Sequence, residues 1–273
     1  MLALGRFRLD LTRPRVMGIV NVTPDSFSDG GVNFDHARAL SYARQMAADG
    51  ADVIDVGGES TRPGAAAVSE IEEQRRVLPV IEALAADGMI VSCDTRRPAV
   101  MRAAIAAGAA MINDVGAMRE PGTLDAVANS GAAVCLVHMR GEPATMQQAP
   151  RYDDVVAEVR EYLLARSRAC EDAGIARERI VIDPGFGFGK TPAHNLVLLR
   201  ALPEIAAAGY PVLAGLSRKS TLGAITGRPV EERMPASIAA ALAAVARGAA
   251  IVRVHDVRET ADALKVWLAV QQG

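Results

Sequence analysis

Short apolar runs recur along this chain, each ending in a polar loop and followed by an amphipathic stretch. Residues 1–14 read as a short hairpin or cap ahead of the first buried strand, 15–20, which ends at Asn21. Asn33 or Asp35 is placed to cap a helix reaching about Asp49, with Leu40, Ala43, Met46 and Ala47 on one side and Gly50 as its stop. Asp52–Val56 is the second strand, followed by the loop Gly57–Gly64. Ser69 with Glu72 three residues on forms a capping box, and Pro79 inside the next helix predicts a kink. Strand three, Met89–Cys93, ends at Asp94, and strand four, Ala110–Ile112, ends at Asn113-Asp114. Strand five, Ala133–Val137, ends at His138-Met139.

Tyr152 to Ala173 is the clearest helix, with Val155, Val156, Val159, Tyr162 and Leu163 on one stripe. Strand six, Arg179–Ile182, ends at Asp183, and Thr191-Pro192 starts a helix. Pro211–Ala214 is strand seven. A loop with Ser217, Arg218, Lys219 and Ser220 leads to an alanine-rich helix from about Pro235 to Arg247. Ala250–Val254 is strand eight, and Asp256 with Glu259 is read as the cap of the last helix. These strands are apolar on both faces, as expected when helices cover the outside of a parallel sheet. Eight strand–helix units predict an α/β fold, a single-domain (β/α)8 TIM barrel, whose usual size is about 250 residues. A doubly wound open sheet is the competing arrangement. Against it, no Gly-x-Gly-x-x-Gly follows the first strand, and Gly185–Lys190 lacks phosphate-loop spacing.

Composition narrows the function. With 30 Lys+Arg against 32 Asp+Glu in 273 residues, the chain has no field to hold nucleic acid. Cys93, Cys135 and Cys170 are too few and too widely spaced for a disulfide framework or a cysteine metal site. Residues 1–10 lack the basic-then-apolar order of an export signal, and no apolar run reaches membrane-spanning length. The expectation is a cytoplasmic protein with no membrane partner.

In a barrel the carboxyl ends of the strands meet on one face. Those ends carry Asn21, then Thr61 and Arg62, Asp94, Asn113, His138-Met139, Asp183, Lys219, and Arg253 with His255. One at a time, each has a bland reading as a helix cap, a loop tie or a surface charge. Together they converge on one ring. Asp94, Asn113 and Asp183 are acceptor-rich, and a flat ligand displaying several ring N–H groups would supply the donors they need. Lys219 would answer its carbonyl or ring nitrogen, and Met139 and Phe188 would give flat apolar contacts. That set suits an aminopyrimidinone. Arg253 and His255, two apart in an extended segment, point the same way. With Asn21 they suit a phosphate or diphosphate, and Asn21 also suits an Mg²⁺ carried on it. No nucleophilic triad is legible, so the site is one that binds and orients.

These residues stand in motifs that resemble dihydropteroate synthase, the folate-pathway enzyme inhibited by sulfonamides. The motifs are Met17–Gly31, Asp55–Gly64, Ser92–Thr95, Ile112–Val115, His138–Gly141, Thr145–Gln147, Asp183–Lys190, Ser217–Ser220 and Arg253–Val257. The resemblance implies condensation of 6-hydroxymethyl-7,8-dihydropterin diphosphate with 4-aminobenzoate, releasing diphosphate and 7,8-dihydropteroate by C–O cleavage ahead of amine attack. It assigns Asp94, Asn113, Met139, Asp183 and Lys219 to the pterin. Thr61, Arg62, Phe188, Lys219 and Ser220 go to the aminobenzoate, and Asn21, Arg253 and His255 to the diphosphate, with Asn21 at Mg²⁺. It implies catalytic parts for Asp25, Thr61, Arg62, Asp94, Asp183 and Lys219, two loops (22–32 and 58–64) that close over the substrates, and a homodimer. Arg140 and Glu142 stand where a Gln and a Thr or similar polar residue are expected. A methyltransferase acting on a reduced folate would share the Asp/Asn pocket but has no need of the diphosphate residues. A non-catalytic pterin-binding protein is the other alternative.

Overall fold

Strands that are apolar on both faces leave no side for water, and the chain resolves this by closing them into a barrel inside a jacket of helices. The computed structural model describes residues 1–23, 36–59, 68–142 and 145–272. The barrel strands are β3 (Arg15–Asn21), β4 (Val53–Gly57), β5 (Val91–Asp94), β6 (Met111–Asp114), β7 (Ala133–Val137), β8 (Ile180–Asp183), β9 (Val212–Ala214) and β10 (Ala249–Val254). They run parallel in chain order, and β10 closes against β3, Met17 opposite Arg253. The predicted TIM barrel is therefore the fold.

Before the barrel, β1 (Leu2–Leu4) and β2 (Phe7–Leu9) form an antiparallel hairpin. Leu2, Leu4 and Leu9 join Met17, Val53, Met111, Val181, Leu213 and Ile251 in one buried cluster, so the hairpin plugs the amino-terminal end of the barrel. Each leucine contributes about 1.5–3 kcal/mol by leaving water.

Ten α-helices are described: α1 (His36–Ala48), α2 (Glu70–Ala86), α3 (Pro98–Ala106), α4 (Thr123–Ala128), α5 (Val155–Asp172), α6 (Pro192–Arg200), α7 (Leu202–Ala206), α8 (Ser220–Thr226), α9 (Met234–Val245) and α10 (Val257–Gln272). The Ser69 hydroxyl caps α2 at the Glu72 N–H, and three glutamates in its first turn suit the helix dipole. That helix runs unbroken through Pro79. Among the described residues no helix is long and apolar enough to cross a membrane.

Local chemistry accounts for the departures from the expected elements. α5 starts at Val155, not Tyr152, because the Asp154 carboxylate takes the Val156 and Ala157 N–H groups. The helix expected after Thr191 is two helices, since Pro203 interrupts the hydrogen-bond ladder just past Ala201. The stretch expected as loop after β9 contains α8, with Ser220 as its first residue. Asp256 does not turn its carboxylate onto α10, because that carboxylate receives the Arg218 guanidinium. The residues proposed to cap α1, Asn33 and Asp35, lie outside the described residues.

Candidate active site

Alternation along the strands decides which side chains reach the barrel mouth. In β4, Val53 belongs to the base of the barrel interior, so Asp55 and Gly57 share its inward face. The same parity from Met111, Val181 and Ile251 turns Asn113, Asp183 and Arg253 inward. Strand register then sets neighbours: Asn21 lies opposite Gly57, Gly57 opposite Asp94, and Asp94 opposite Asn113. The expected pterin residues Asp94, Asn113 and Asp183 are therefore brought together.

Arg253 is the hub of this mouth. Its Nε donates to Asp55 Oδ2 at 2.6 Å and its Nη2 to Asp94 Oδ2 at 2.7 Å. Asn113 Nδ2 donates to the same Asp55 oxygen at 3.1 Å. Asp55 is completely buried. Two carboxylates on one guanidinium have electrical consequences. Burial raises the Asp94 carboxyl above the usual range; Arg253 opposes this and Asp55 adds to it. Burial also works against the Arg253 charge, but Asp55 and Asp94 outweigh it.

Asp183 accepts the Gly185 N–H at 2.7 Å, and burial raises its carboxyl against the opposing charge of Lys219. Burial lowers Lys219 to about 8, with Asp183 resisting. Lys219 Nζ donates to the Phe186 carbonyl and lies 4.4 Å from the centre of the Phe188 ring. Met139 is buried in the interior cluster, with Phe188 packed against it. Ser220 is exposed at the start of α8.

The anion side is arranged differently from the simple clamp that the Arg253/His255 spacing predicts. Arg253 already serves two carboxylates, which leaves Nη1 as the nitrogen with no bond to a described residue. His255 Nδ1 lies 2.9 Å from Ser217 Oγ, which also accepts the His255 N–H. With that oxygen accepting from the backbone, the Ser217 proton is directed to Nδ1. Asn21 is half-buried at the end of β3. Asp25, Thr61 and Arg62, and most of the two loops expected to close, lie outside the described residues.

His138 does not join the mouth. Val137 and Met139 face the interior, so the residue between them points outward. Its ring is buried at 4.9 Å from the Tyr162 ring and touches Lys190. Burial and the Lys190 charge push it down to about 2, so it stays neutral. Conversely, strand-end reading misses Asp55 and Ser92, which lie opposite one another in β4 and β5. A carboxylate inside an otherwise apolar strand was the available signal, because burying it is costly unless a cation pairs with it. The two departures flagged in sequence are peripheral. Arg140 pairs with Glu158 at 2.6 Å and stacks on Tyr152, and Glu142 reaches Arg96 at 3.8 Å.

Three buried polar atoms on adjacent strands have no partner among the described residues: Asp55 Oδ1, Ser92 Oγ and Asn113 Oδ1. Such atoms are rare in a finished interior, and a polar ligand or water bound there would complete their bonding; Tyr162 Oη and Ser167 Oγ, away from the mouth, are the others among the described residues. Two of the three at the mouth are pure acceptors, which fits a ring edge rich in N–H.

Comparison with known proteins agrees with this chemistry. A family profile described as pterin binding enzyme matches residues 17–255. The dihydropteroate synthase of Neisseria meningitidis serogroup B is 54% identical over 273 residues, covering 97% of this chain and 96% of its own. The dihydropteroate synthase of Xanthomonas albilineans, solved in complex with 7,8-dihydropteroate, is 55% identical with a TM-score of 0.89. That match covers 96% of this chain and 95% of the other. The same organism's enzyme with 4-aminobenzoic acid is 57% identical with a TM-score of 0.91, at the same coverage of both chains.

Proposed function

The chain belongs to the dihydropteroate synthase family, and we propose that its barrel mouth divides the family reaction between a pterin pocket and a diphosphate end. The enzyme condenses 6-hydroxymethyl-7,8-dihydropterin diphosphate with 4-aminobenzoate to 7,8-dihydropteroate and diphosphate. The observation that carries the pterin pocket is the set of unpartnered buried atoms at Asp55, Ser92 and Asn113 beside the Asp94 and Asp183 carboxylates. A pterin ring edge would donate to these acceptors, while Lys219 Nζ would donate to its carbonyl and Met139 would lie against its face.

In this reading the carbon–oxygen bond breaks first, and its electron pair leaves on the diphosphate oxygen. The positive charge left on the pterin methylene faces the preorganised carboxylates of Asp94 and Asp183. The arylamine nitrogen then attacks with its lone pair and loses one proton. An arylamine is neutral at physiological pH and needs no strong base. Phe188 and Lys219, with Ser220 at the rim, form the aminobenzoate side and hold the nucleophile in line. At the leaving group, Arg253 Nη1 and the Asn21 side chain would meet the diphosphate, with His255 beside them just past the end of β10. Among the described residues no three His, Cys, Asp or Glu side chains gather as a metal cage. One neutral oxygen fits an ion held chiefly by substrate phosphates. When Mg²⁺ is bound, Asn21 Oδ1 is the atom that would hold it, and the ion would neutralise charge on the departing diphosphate. The reading includes a cytoplasmic homodimer, as the family resemblance implies.

The test is to supply the purified protein with dihydropterin diphosphate, Mg²⁺ and 4-aminobenzoate and to follow dihydropteroate and diphosphate. Stoichiometric appearance of both is expected. A folded protein that forms neither overturns the reading.

A further inference from the structure

The reaction leaves the segment Gly185-Phe186-Gly187-Phe188-Gly189-Lys190 largely unexplained, above all its buried terminal lysine. Lys190 is 2% exposed, and its side chain folds back beneath the loop. Its Nζ lies 2.8 Å from His138 Nδ1, 3.0 Å from the Gly185 carbonyl, 3.1 Å from that of Phe188 and 3.3 Å from that of His138. These acceptors belong to the two segments that leave β7 and β8. The segments also touch backbone to backbone. Gly185 and Gly189 hold φ near 67° and 64°, and a Cβ on either would collide with the carbonyl of His138 or Arg140. His138 is neutral, and the tautomer with its proton on Nε2 would let Nδ1 accept from the lysine.

From this anchor the loop rises to the mouth. Its Phe186 carbonyl accepts Lys219, and its Phe188 ring lies against the same ammonium. A second tie comes from Asn195, whose Oδ1 accepts the Gly187 N–H at 2.9 Å and whose Nδ2 donates to Thr221 at 2.8 Å. Most of the pterin side is built otherwise, with Asp55, Asp94 and Asn113 on strands and bonded to Arg253 or to each other, while Asp183 and Lys219 touch the loop at Gly185 and Phe186.

We propose that Lys190 is a positioning residue for the arylamine half of the site, fixing loop 185–189 against His138 and thereby setting where Lys219 and Phe188 meet 4-aminobenzoate. The inference rests on the reading that those two residues face the arylamine. Lys190→Met removes the donors with little change in length. Its KM for 4-aminobenzoate should rise about tenfold, the upper end of what one hydrogen bond contributes. Affinity for a pterin analogue should fall by no more than about threefold, because Asp55, Asp94 and Asn113 keep their places on strands and only Asp183 and Lys219 touch the loop. Equal losses for both ligands, or no loss in a folded variant, would overturn the proposal. If Lys190→Met does not fold, Asn195→Ser releases the same loop at Gly187 and should reproduce the same asymmetry; symmetric losses there count equally against it. Phe188→Ala separates the two ideas. If it leaves the aminobenzoate KM unchanged, the assignment of the arylamine side fails. If it raises that KM while Lys190→Met does not, the positioning role alone fails.

Discussion

Replacing Asp55 by asparagine removes one charge from beneath the mouth at constant volume. Its Oδ2 now receives both Arg253 Nε at 2.6 Å and Asn113 Nδ2 at 3.1 Å, in a fully buried position. A hydrogen bond to a charged group contributes about 1.5–3 kcal/mol and a neutral one about 1, so roughly 1–2 kcal/mol of Arg253 anchoring is lost. If that anchoring is realised in the transition state, kcat/KM falls by about five- to thirtyfold. The pH dependence gives a sharper reading. In the proposed mechanism Asp94 faces the pterin cation in its ionised form, and its folded pKa is raised, so activity should be lost as pH falls through that raised value. Asp55 is among the causes of the rise. Without its charge, and with Arg253 left to Asp94, the carboxyl should ionise at lower pH. The acid limb of kcat/KM should therefore move down by about one unit. Initial rates of diphosphate release from pH 5 to 9, for both proteins at saturating aminobenzoate, measure this. An acid limb that stays in place or moves upward in a folded variant would refute the shared-guanidinium account.

Lys219→Arg addresses the basic limb. Burial lowers Lys219 to about 8, so the charged form is lost as pH rises through that value and kcat/KM should fall there. Arginine keeps its charge beyond about pH 12, so the limb should disappear even as the overall rate drops, and a limb that persists would exclude Lys219 as its source. Gly57→Ala tests the gap between the two halves of the site. Its Cβ would stand 3.5 Å from Asp94 Cβ and 3.7 Å from Asn21 Oδ1, ordinary contacts, so calorimetry should show stability unchanged within about 1 kcal/mol while the KM for dihydropterin diphosphate rises. Glu73→Leu should act on stability instead. Glu73 is 1% exposed and bonded to Arg97, whose other terminal nitrogen reaches Glu59 at 3.1 Å. Burial raises the Glu73 carboxyl despite Arg97, and Arg97 keeps Glu59, so the loss should be about 1 kcal/mol, which for a chain of this size lowers Tm by roughly 2–4 °C in a thermal melt.

Local pattern was enough for the barrel, because each buried strand and each helix face declares itself within a dozen residues. It was enough for Asp94, Asn113 and Asp183 too, since a polar residue that ends an apolar strand has few places to point other than the mouth. It misplaced His138 because a strand end has two faces, and only the parity set by Val137 and Met139 shows that the ring turns out toward Lys190. The larger gap was Asp55. Its reason for existing is Arg253, 198 residues away, and no local signal connects them. What joins them is closure: β10 returns beside β3, whose other neighbour is β4, and the guanidinium then reaches across β3 to a carboxylate on the inward face of β4. The same closure converts two residues that spacing alone reads as an anion clamp into unequal partners. His255 is tied to Ser217, while Arg253 holds two carboxylates in place. It follows that Arg253→Ala should not spare the pterin pocket, because it would leave the buried Asp55 and the half-buried Asp94 without the guanidinium they share. Pterin-analogue affinity should therefore fall in Arg253→Ala as well as in Asp94→Ala, and an Arg253→Ala protein that binds the analogue as tightly as the wild type would show that the two carboxylates do not depend on it.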